Sequence, residues 1–253
     1  MTATAVRSFS PTVPRPRRPV DAAPVSTAAP VRSRAAAYQR VLHQLVRREL
    51  RTLADLAGWA PDGECARTGT LGCHAGLVSR VLLHHHAVER EALWPALLRA
   101  VPDAERAAAE TAVSEWTLAC SRIDARLRDL DTTARQWAVA GTAPARLAFA
   151  RACRALADDV DAQTTAEEET LLPLLDRHLT DAGWTAISRT VRCGLPARQR
   201  LLVLGLALED ACAGDRARLL HGVPRGTRLA WRLYGEGRFR ASVVRLRGAP
   251  PAA

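Results

Sequence analysis

The sequence predicts an all-α protein: an antiparallel, up-down four-helix bundle with a mostly helical C-terminal extension. Alanine, leucine and arginine, all strong helix formers, are abundant among the 253 residues, of which 48% are hydrophobic and only 4% aromatic. Apolar residues recur at steps of three and four in four long segments, which is the period of an amphipathic helix. Short connections between such helices favour an antiparallel bundle.

Composition and patterning divide the chain into three predicted regions. Residues 1–33 are rich in proline, alanine and arginine and hold little that could be buried, so we predict a disordered tail. Residues 34–180 contain the four amphipathic segments and are predicted to form the bundle. Residues 181–253 form the extension, which ends in a basic segment.

The first two predicted helices carry ionisable residues among apolar ones. Helix one is expected over residues 35–57 and places His43 in its apolar face; a loop is expected at 60–71. Helix two is expected over 73–99, with a bend at Pro95. Its inner face combines apolar and ionisable positions: Val78, Leu82, His85, Glu89 and Leu93. Burying His85 and Glu89 of this second helix is costly unless they pair or bind a metal.

The third helix, by contrast, has an apolar face throughout: Val113, Trp116, Cys120, Ile123, Leu127 and Leu130. The fourth helix is expected over 145–178, and a carboxylate again interrupts its inner face, at Glu167 or its neighbour Glu168. Beyond residue 181 the pattern weakens. A helix is still predicted for 196–212, and shorter helices are predicted after Asp215 and Pro224.

The net charge of +10 is concentrated at the two ends of the chain. Every basic residue is arginine; residues 1–34 carry six and residues 216–253 carry nine, against one acidic residue in each end. The body between them is therefore mildly acidic. Arginine-rich ends can contact polyanions without specificity, so association with nucleic acid through these ends is one alternative function, although no specific nucleic acid is expected.

Motifs that are not found in the sequence bear on the cellular compartment and on whether the protein is an enzyme. The six cysteines are scattered without a CxxC pair, and no apolar segment resembles a secretory signal, which favours the cytoplasm. The longest apolar run, residues 201–208, is too short for a bilayer, so no membrane contact is expected. No nucleophile–base pair, phosphate loop or dinucleotide motif occurs, and we expect no enzymatic activity.

The interrupted helix faces together predict a metal site. His43 lies on one helix, His85 and Glu89 on the next, and Glu167 or Glu168 on the fourth. Histidines and carboxylates that face one another inside a bundle are the usual ligands of iron and related divalent metals. Iron, manganese and zinc all suit such a donor set.

The same residues carry a resemblance to a known family. The order of His43, then HHHAVEREALWP from His84, then AEEETLLPLL from Ala166 resembles the hemerythrin-like, or HHE cation-binding, domain over about residues 38–180. The resemblance implies a four-helix bundle with a non-haem di-iron site, used for oxygen binding, sensing, iron handling or redox defence. It assigns ligand roles to His43, to His85 with Glu89, and to the glutamate pair that begins at Glu167.

Two ligand positions depart from the family pattern. The third-helix histidine falls at Trp116 and the fourth-helix histidine at Gln163; indole has no lone pair to offer and an amide oxygen binds weakly. The resemblance therefore implies a reduced, one-metal iron site held by His43, His85, Glu89 and Glu167 or Glu168.

The expected ligand of such a site is a small diatomic molecule such as oxygen or nitric oxide, and no protein partner is indicated. Redox, oxygen or nitric-oxide sensing and iron handling are the functions that this interpretation favours. The alternative is a degenerate, metal-free bundle that acts as a binding or scaffold protein. The flanking His84 and His86 are expected to face solvent or a neighbouring helix.

Overall fold

A computed structural model of the chain describes residues 33–61, 65–190 and 194–248, and the side chains of residues 65 and 66 lie outside this description. The described residues are mostly helical and contain no strand, which confirms the all-α prediction. A π-helical turn, Glu89–Leu93, joins the second helix to the third. The bundle consists of α1 Arg34–Trp59, α2 Cys65–Val88, α3 Trp94–Ala100, α4 Asp103–Ala140 and α5 Ala143–His178.

Contacts between α1 and α5 show that the two helices run antiparallel. The backbone N–H of Ser33 donates to Asp176 at one end, and Arg154 pairs with Asp55 at the other. α5 also packs against α4, α4 against α2, and α2 against α1, so each helix lies between two others. The predicted up-down bundle therefore closes into a ring.

The second helix begins earlier than predicted. The expected loop at 60–71 is wrong over its second half, since α2 starts at Cys65 and contains Gly69 and Gly72. Each glycine costs a helix about 1 kcal/mol relative to alanine. Burial of Thr68 and Leu71 on one face supplies tertiary packing that offsets this cost.

The π turn lies immediately before Pro95. Proline lacks an N–H and its ring clashes with the carbonyl four residues earlier, so a regular helix cannot continue through it unchanged. Here the N–H of Trp94 donates to the carbonyl of Glu89, five residues back, and the chain then continues as α3. Leu93 at the end of the turn and Leu97 beyond it are fully buried, so the inner face is maintained.

The extension packs alongside the bundle. It comprises α6 Asp181–Thr190, α7 Ala197–Glu209, α8 Ala213–Gly222, α9 Arg225–Ala230, a second π turn Trp231–Gly235, and α10 Glu236–Arg247. α6, α7 and α8 contact α1. α7 approaches α10 so closely that a Cβ on Gly205 would lie 2.4 Å from the ring of Phe239, so the position needs glycine.

A buried ionic group ties the extension to the bundle; we call it the Glu49 cluster, comprising Arg48, Glu49, His74, Glu209 and Arg247. Arg247 donates to Glu49 at 2.6 Å and to Glu209 at 2.7 Å. Arg48 and His74 each lie 2.7 Å from oxygens of Glu49. The carboxylates are therefore matched by nearby cationic and donor groups.

The apolar core is divided in two. One apolar cluster is formed by α1, α2, α4, α5 and the extension, and the other surrounds α3, the start of α4 and the end of α5. Buried polar residues lie at or near the sequence boundary between the two clusters on α1, α2 and α5. This polar layer is where the ionisable inner-face residues lie.

Some expectations concern residues outside the described ranges. The predicted tail, 1–33, lies outside them except for Ser33. Cys73, Cys120, Cys153 and Cys212 are free, and Cys193 is outside the description. None of the helices described here combines the length and the apolar character needed to cross a bilayer.

Candidate metal centre

The structure brings together the four residues that the sequence analysis singled out, in a group that we call the metal cluster: His43, His85, Glu89 and Glu167. One potential ligand atom from each lies within 4.8 Å of the others. α1 supplies His43, α2 supplies His85, the π turn supplies Glu89 and α5 supplies Glu167. All four are buried, with at most 2% of their surface exposed.

His43 is oriented by a glutamate outside the cluster. Its Nδ1 lies 2.9 Å from Oε1 of Glu168, which leaves Nε2 directed at Oε1 of Glu167, 3.3 Å away. A carboxylate on the remote nitrogen of a histidine is the usual support for a metal-ligating imidazole. Burial by itself raises the pKa of Glu168, but His43 and nearby arginines lower it overall.

The glutamate run at 167–169 divides into three environments. Glu167 points into the polar layer, Glu168 binds His43 from the outside, and Glu169 is exposed. Geometry therefore favours Glu167 as the inner carboxylate, while ligation by either residue stays a prediction.

His85 and Glu89 converge without forming a hydrogen bond. Nε2 of His85 lies 3.3 Å from Oε1 of Glu89, but within the described residues neither ring nitrogen has a hydrogen-bond partner. Burial and the positive charge of His43 lower the pKa of His85 well below its ordinary value. A neutral imidazole has a free lone pair, which is the form that a metal requires.

Glu89 has a second partner that the sequence analysis missed. Nε2 of Gln39 donates to Oε1 of Glu89 at 2.5 Å, and Gln39 is 1% exposed. Gln39 stands four residues before His43, on the same face of α1, and this spacing was the available signal. Burial and the charge of Glu167 raise the pKa of Glu89 well above its ordinary value.

Within the metal cluster, charge is balanced by an imidazole and not by a guanidinium group. Burial alone would lower the pKa of His43, but the charges and hydrogen bonds of Glu167 and Glu168 raise it to about 9. Among the described residues, no arginine forms an ion pair with Glu89 or Glu167. Two imidazoles and two carboxylates without a guanidinium suit a divalent transition metal, so the donor set fits an iron-type ion.

Next to the metal cluster lie the two residues that depart from the family pattern. Trp116 and Gln163 are 4% and 5% exposed, and Nε2 of Gln163 donates to Oε2 of Glu167 at 3.3 Å. The indole N–H of Trp116 has no partner in the part of the chain that is described.

His86 also lies in this region, against the neighbouring helix and away from solvent. It is 2% exposed and packs edge-on to Trp116, with ring centroids 5.9 Å apart. Burial lowers its pKa to about 4, although Glu167 and Gln163 act in the opposite direction. A run of three histidines has no single helical face, so spacing alone does not distinguish His86 from His84.

Comparison with known families agrees with the geometry. The family model of the hemerythrin HHE cation binding domain matches residues 35–176, which include α1 to α5 except their outermost residues. No curated protein and no solved structure matches the chain. The family match covers more than half of the sequence and all four residues of the metal cluster. The chain therefore belongs to the hemerythrin HHE cation-binding domain family.

Proposed function

We propose that this protein binds one iron-type ion through His43, His85, Glu89 and Glu167 and uses it in sensing a small diatomic ligand, such as oxygen or nitric oxide, or in iron handling. The role is that of a non-enzymatic binding protein of the cytoplasm. The family implies a metal-dependent function. Ligand sensing and iron handling are the roles that we propose for it.

One observation carries the metal-binding part. Four buried donor atoms of the types that iron prefers lie within 4.8 Å of one another, and within the described residues no arginine pairs with the two carboxylates. A buried carboxylate without a guanidinium partner is costly to keep charged, and a bound cation would balance Glu89 and Glu167 together.

The proposal of one ion per chain rests on the two positions where residues differ from the family pattern. Trp116 cannot ligate through its indole, and Gln163 already donates its amide to Glu167. The imidazoles that remain in the metal cluster, His43 and His85, come from the first two helices. One ion with two histidines and two carboxylates is the set that this chain can supply.

The surrounding residues have distinct supporting roles. Glu168 fixes the ring of His43, and Gln39 fixes the carboxyl group of Glu89. The buried rings of Trp94 and Trp116 exclude water from the adjoining region. A bound iron would supply a redox couple and an open coordination position for a small ligand.

The test is the metal content of purified, reconstituted protein together with its ultraviolet–visible spectrum. We expect one ion per chain in the wild type and a strong loss in Glu89→Ala. Glu169→Ala removes an exposed glutamate two residues beyond the cluster and should behave as the wild type.

Two results would contradict the proposal. Two ions per chain would refute the reduced site, and no ion after reconstitution at neutral pH would favour the metal-free scaffold. In the scaffold case His85→Ala should leave stability unchanged or raise it, because no ligand role would be lost.

A further inference from the structure

The last helical segment of the extension has one buried side and one exposed side. α9, the second π turn and α10 follow one another without a break over residues 225–247, and the segment packs against α7. Its buried residues recur at steps of three and four: Trp231, Gly235, Phe239, Val243 and Leu246. Positions halfway between these residues therefore face away from the bundle.

Large apolar side chains are concentrated on the exposed side. Leu229 and Leu233 are 58% and 73% exposed, and each stands two positions from the buried Trp231, or about 200° around the helix. Tyr234 and Val244 are exposed as well. Among the described residues, nine large hydrophobic side chains are exposed, and four of them lie within residues 229–244. Apolar residues that cluster in this way mark an interaction site, whereas single scattered ones do not.

Arginines accompany these apolar side chains. Residues 225–247 contain seven arginines and one glutamate. Arg240 pairs with Glu236, and Arg247 belongs to the Glu49 cluster. The other five have no carboxylate partner within the described part of the chain: Arg225, Arg228, Arg232, Arg238 and Arg245. The segment therefore carries a strong positive charge that the protein itself does not neutralise.

A groove between α7 and α10 brings three guanidinium groups together. Its volume is about 410 Å³, and Arg198 of α7 lines it together with Arg238 and Arg245 of α10. Arg198 likewise has no carboxylate partner among the described residues. Guanidinium groups bind phosphate through paired hydrogen bonds, so the groove suits a phosphate group. We call the exposed side of residues 225–247, together with this groove, the basic face.

The combination of charge and apolar surface distinguishes among possible partners. A second copy of the basic face would bring unneutralised arginines against one another. A nucleic acid would neutralise the arginines but would leave Leu229 and Leu233 in water. An anionic bilayer offers phosphates and acyl chains at the same surface, and helices with basic and apolar exposed residues bind there.

We propose that the basic face binds the surface of an anionic lipid membrane. Lipid phosphates contact the arginines of the groove, and Leu229 and Leu233 insert between the lipids. The sequence analysis expected no membrane contact because no apolar run could span a bilayer, but peripheral binding requires no such run. No residue of the basic face belongs to the metal cluster, so this inference is independent of the proposed function.

The test is sedimentation of the full-length protein with lipid vesicles. One set of vesicles is phosphatidylcholine alone, and the other contains equal parts of phosphatidylcholine and phosphatidylglycerol. The wild type should bind the mixed vesicles and not the neutral ones. Added salt should weaken this binding, because it screens the attraction between arginines and phosphates.

Two pairs of substitutions separate the arginine contribution from the apolar one. Arg238→Gln with Arg245→Gln should weaken binding about thirtyfold, the effect expected for two arginines near an anionic surface. Leu229→Ala with Leu233→Ala should weaken it about tenfold, because less apolar surface is buried among the lipids.

Matched controls make the same chemical changes on exposed residues of the bundle. Arg122→Gln with Arg151→Gln removes two charges, and Leu118→Ala with Val139→Ala removes two apolar side chains. Both control pairs should bind vesicles as the wild type does. Since all the replaced residues are exposed, thermal melting followed by circular dichroism should be unchanged in every variant.

Four results would overturn the inference. Absence of binding to mixed vesicles, or equal binding to neutral ones, would exclude recognition of anionic lipid. Unchanged binding in both substituted pairs would locate the contact elsewhere in the chain. Binding to duplex DNA without binding to vesicles would make the basic face a nucleic-acid surface. A wild-type dimer that dissociates in the leucine pair would make it an interface between copies of this chain.

Discussion

Glu49 and Glu89 are both fully buried in this bundle, and each lies beside a histidine of α2, yet their surroundings differ. Glu49 accepts hydrogen bonds from Arg48 and Arg247 and contacts His74. Glu89 has the neutral amide of Gln39 and a histidine that it does not hydrogen-bond.

The difference separates a structural ionic group from a candidate metal site. Two guanidinium groups stabilise the charged form of Glu49 and leave no place for another cation. The metal cluster has carboxylates and imidazoles that converge without an arginine among them. Residue types alone are therefore a poor guide to ligation, and the presence or absence of arginine partners is more informative.

The largest expected effect comes from a substitution of Glu49, the glutamate in the structural ionic group. Glu49→Gln should lower the free energy of unfolding of the metal-free protein by about 3 kcal/mol, because it removes the fully buried anion that Arg48 and Arg247 face. Urea denaturation in the presence of a chelator measures the change. The exposed Glu169→Gln is the matched control, and a Glu49→Gln loss as small as the control's would show that the Glu49 cluster contributes little.

The contribution of Glu49 to stability should also depend on pH, and this is the second, slightly smaller effect. Burial by itself raises the pKa of Glu49, but the hydrogen bond from His74 and the charges of Arg48 and Arg247 lower it to about 2. A lowered pKa stabilises the fold above the unfolded-state value of 4.5, and this stabilisation is lost as the pH falls towards 2.

The difference in unfolding free energy between wild type and Glu49→Gln should therefore shrink by about 2 kcal/mol between pH 6 and pH 3. Denaturation curves of both proteins at the two pH values measure it. A difference that stays constant would mean that the pKa of Glu49 is the same in the folded and unfolded states.

The smallest expected effect comes from a substitution of Glu89, in the metal cluster. Glu89→Gln should change the stability of the metal-free protein by less than about 1 kcal/mol, since the raised pKa of Glu89 already favours its neutral form and the amide oxygen can still accept from Gln39. Chelator-treated protein in urea again gives the measurement. A loss as large as that of Glu49→Gln would mean that both glutamates are structural.

Sequence reasoning was most successful where one helix contains the information. The inner face of the second helix, including His85 and Glu89, followed from spacing alone, and all its predicted members are buried. Gly69 contributed to the mistaken prediction of a loop up to residue 71, because tertiary burial of its neighbours outweighs a weak local preference.

The sequence by itself determined the helical class, the interrupted faces and the resemblance to the cation-binding family, since these depend on residue type and spacing along one chain segment. Only the tertiary structure decided which glutamate of the run at 167–169 faces inward and that His86 is buried. It also decided that Arg247 reaches Glu49 across 198 positions of sequence. Such pairings depend on the rotation and register of packed helices, which the period of a single helix does not specify.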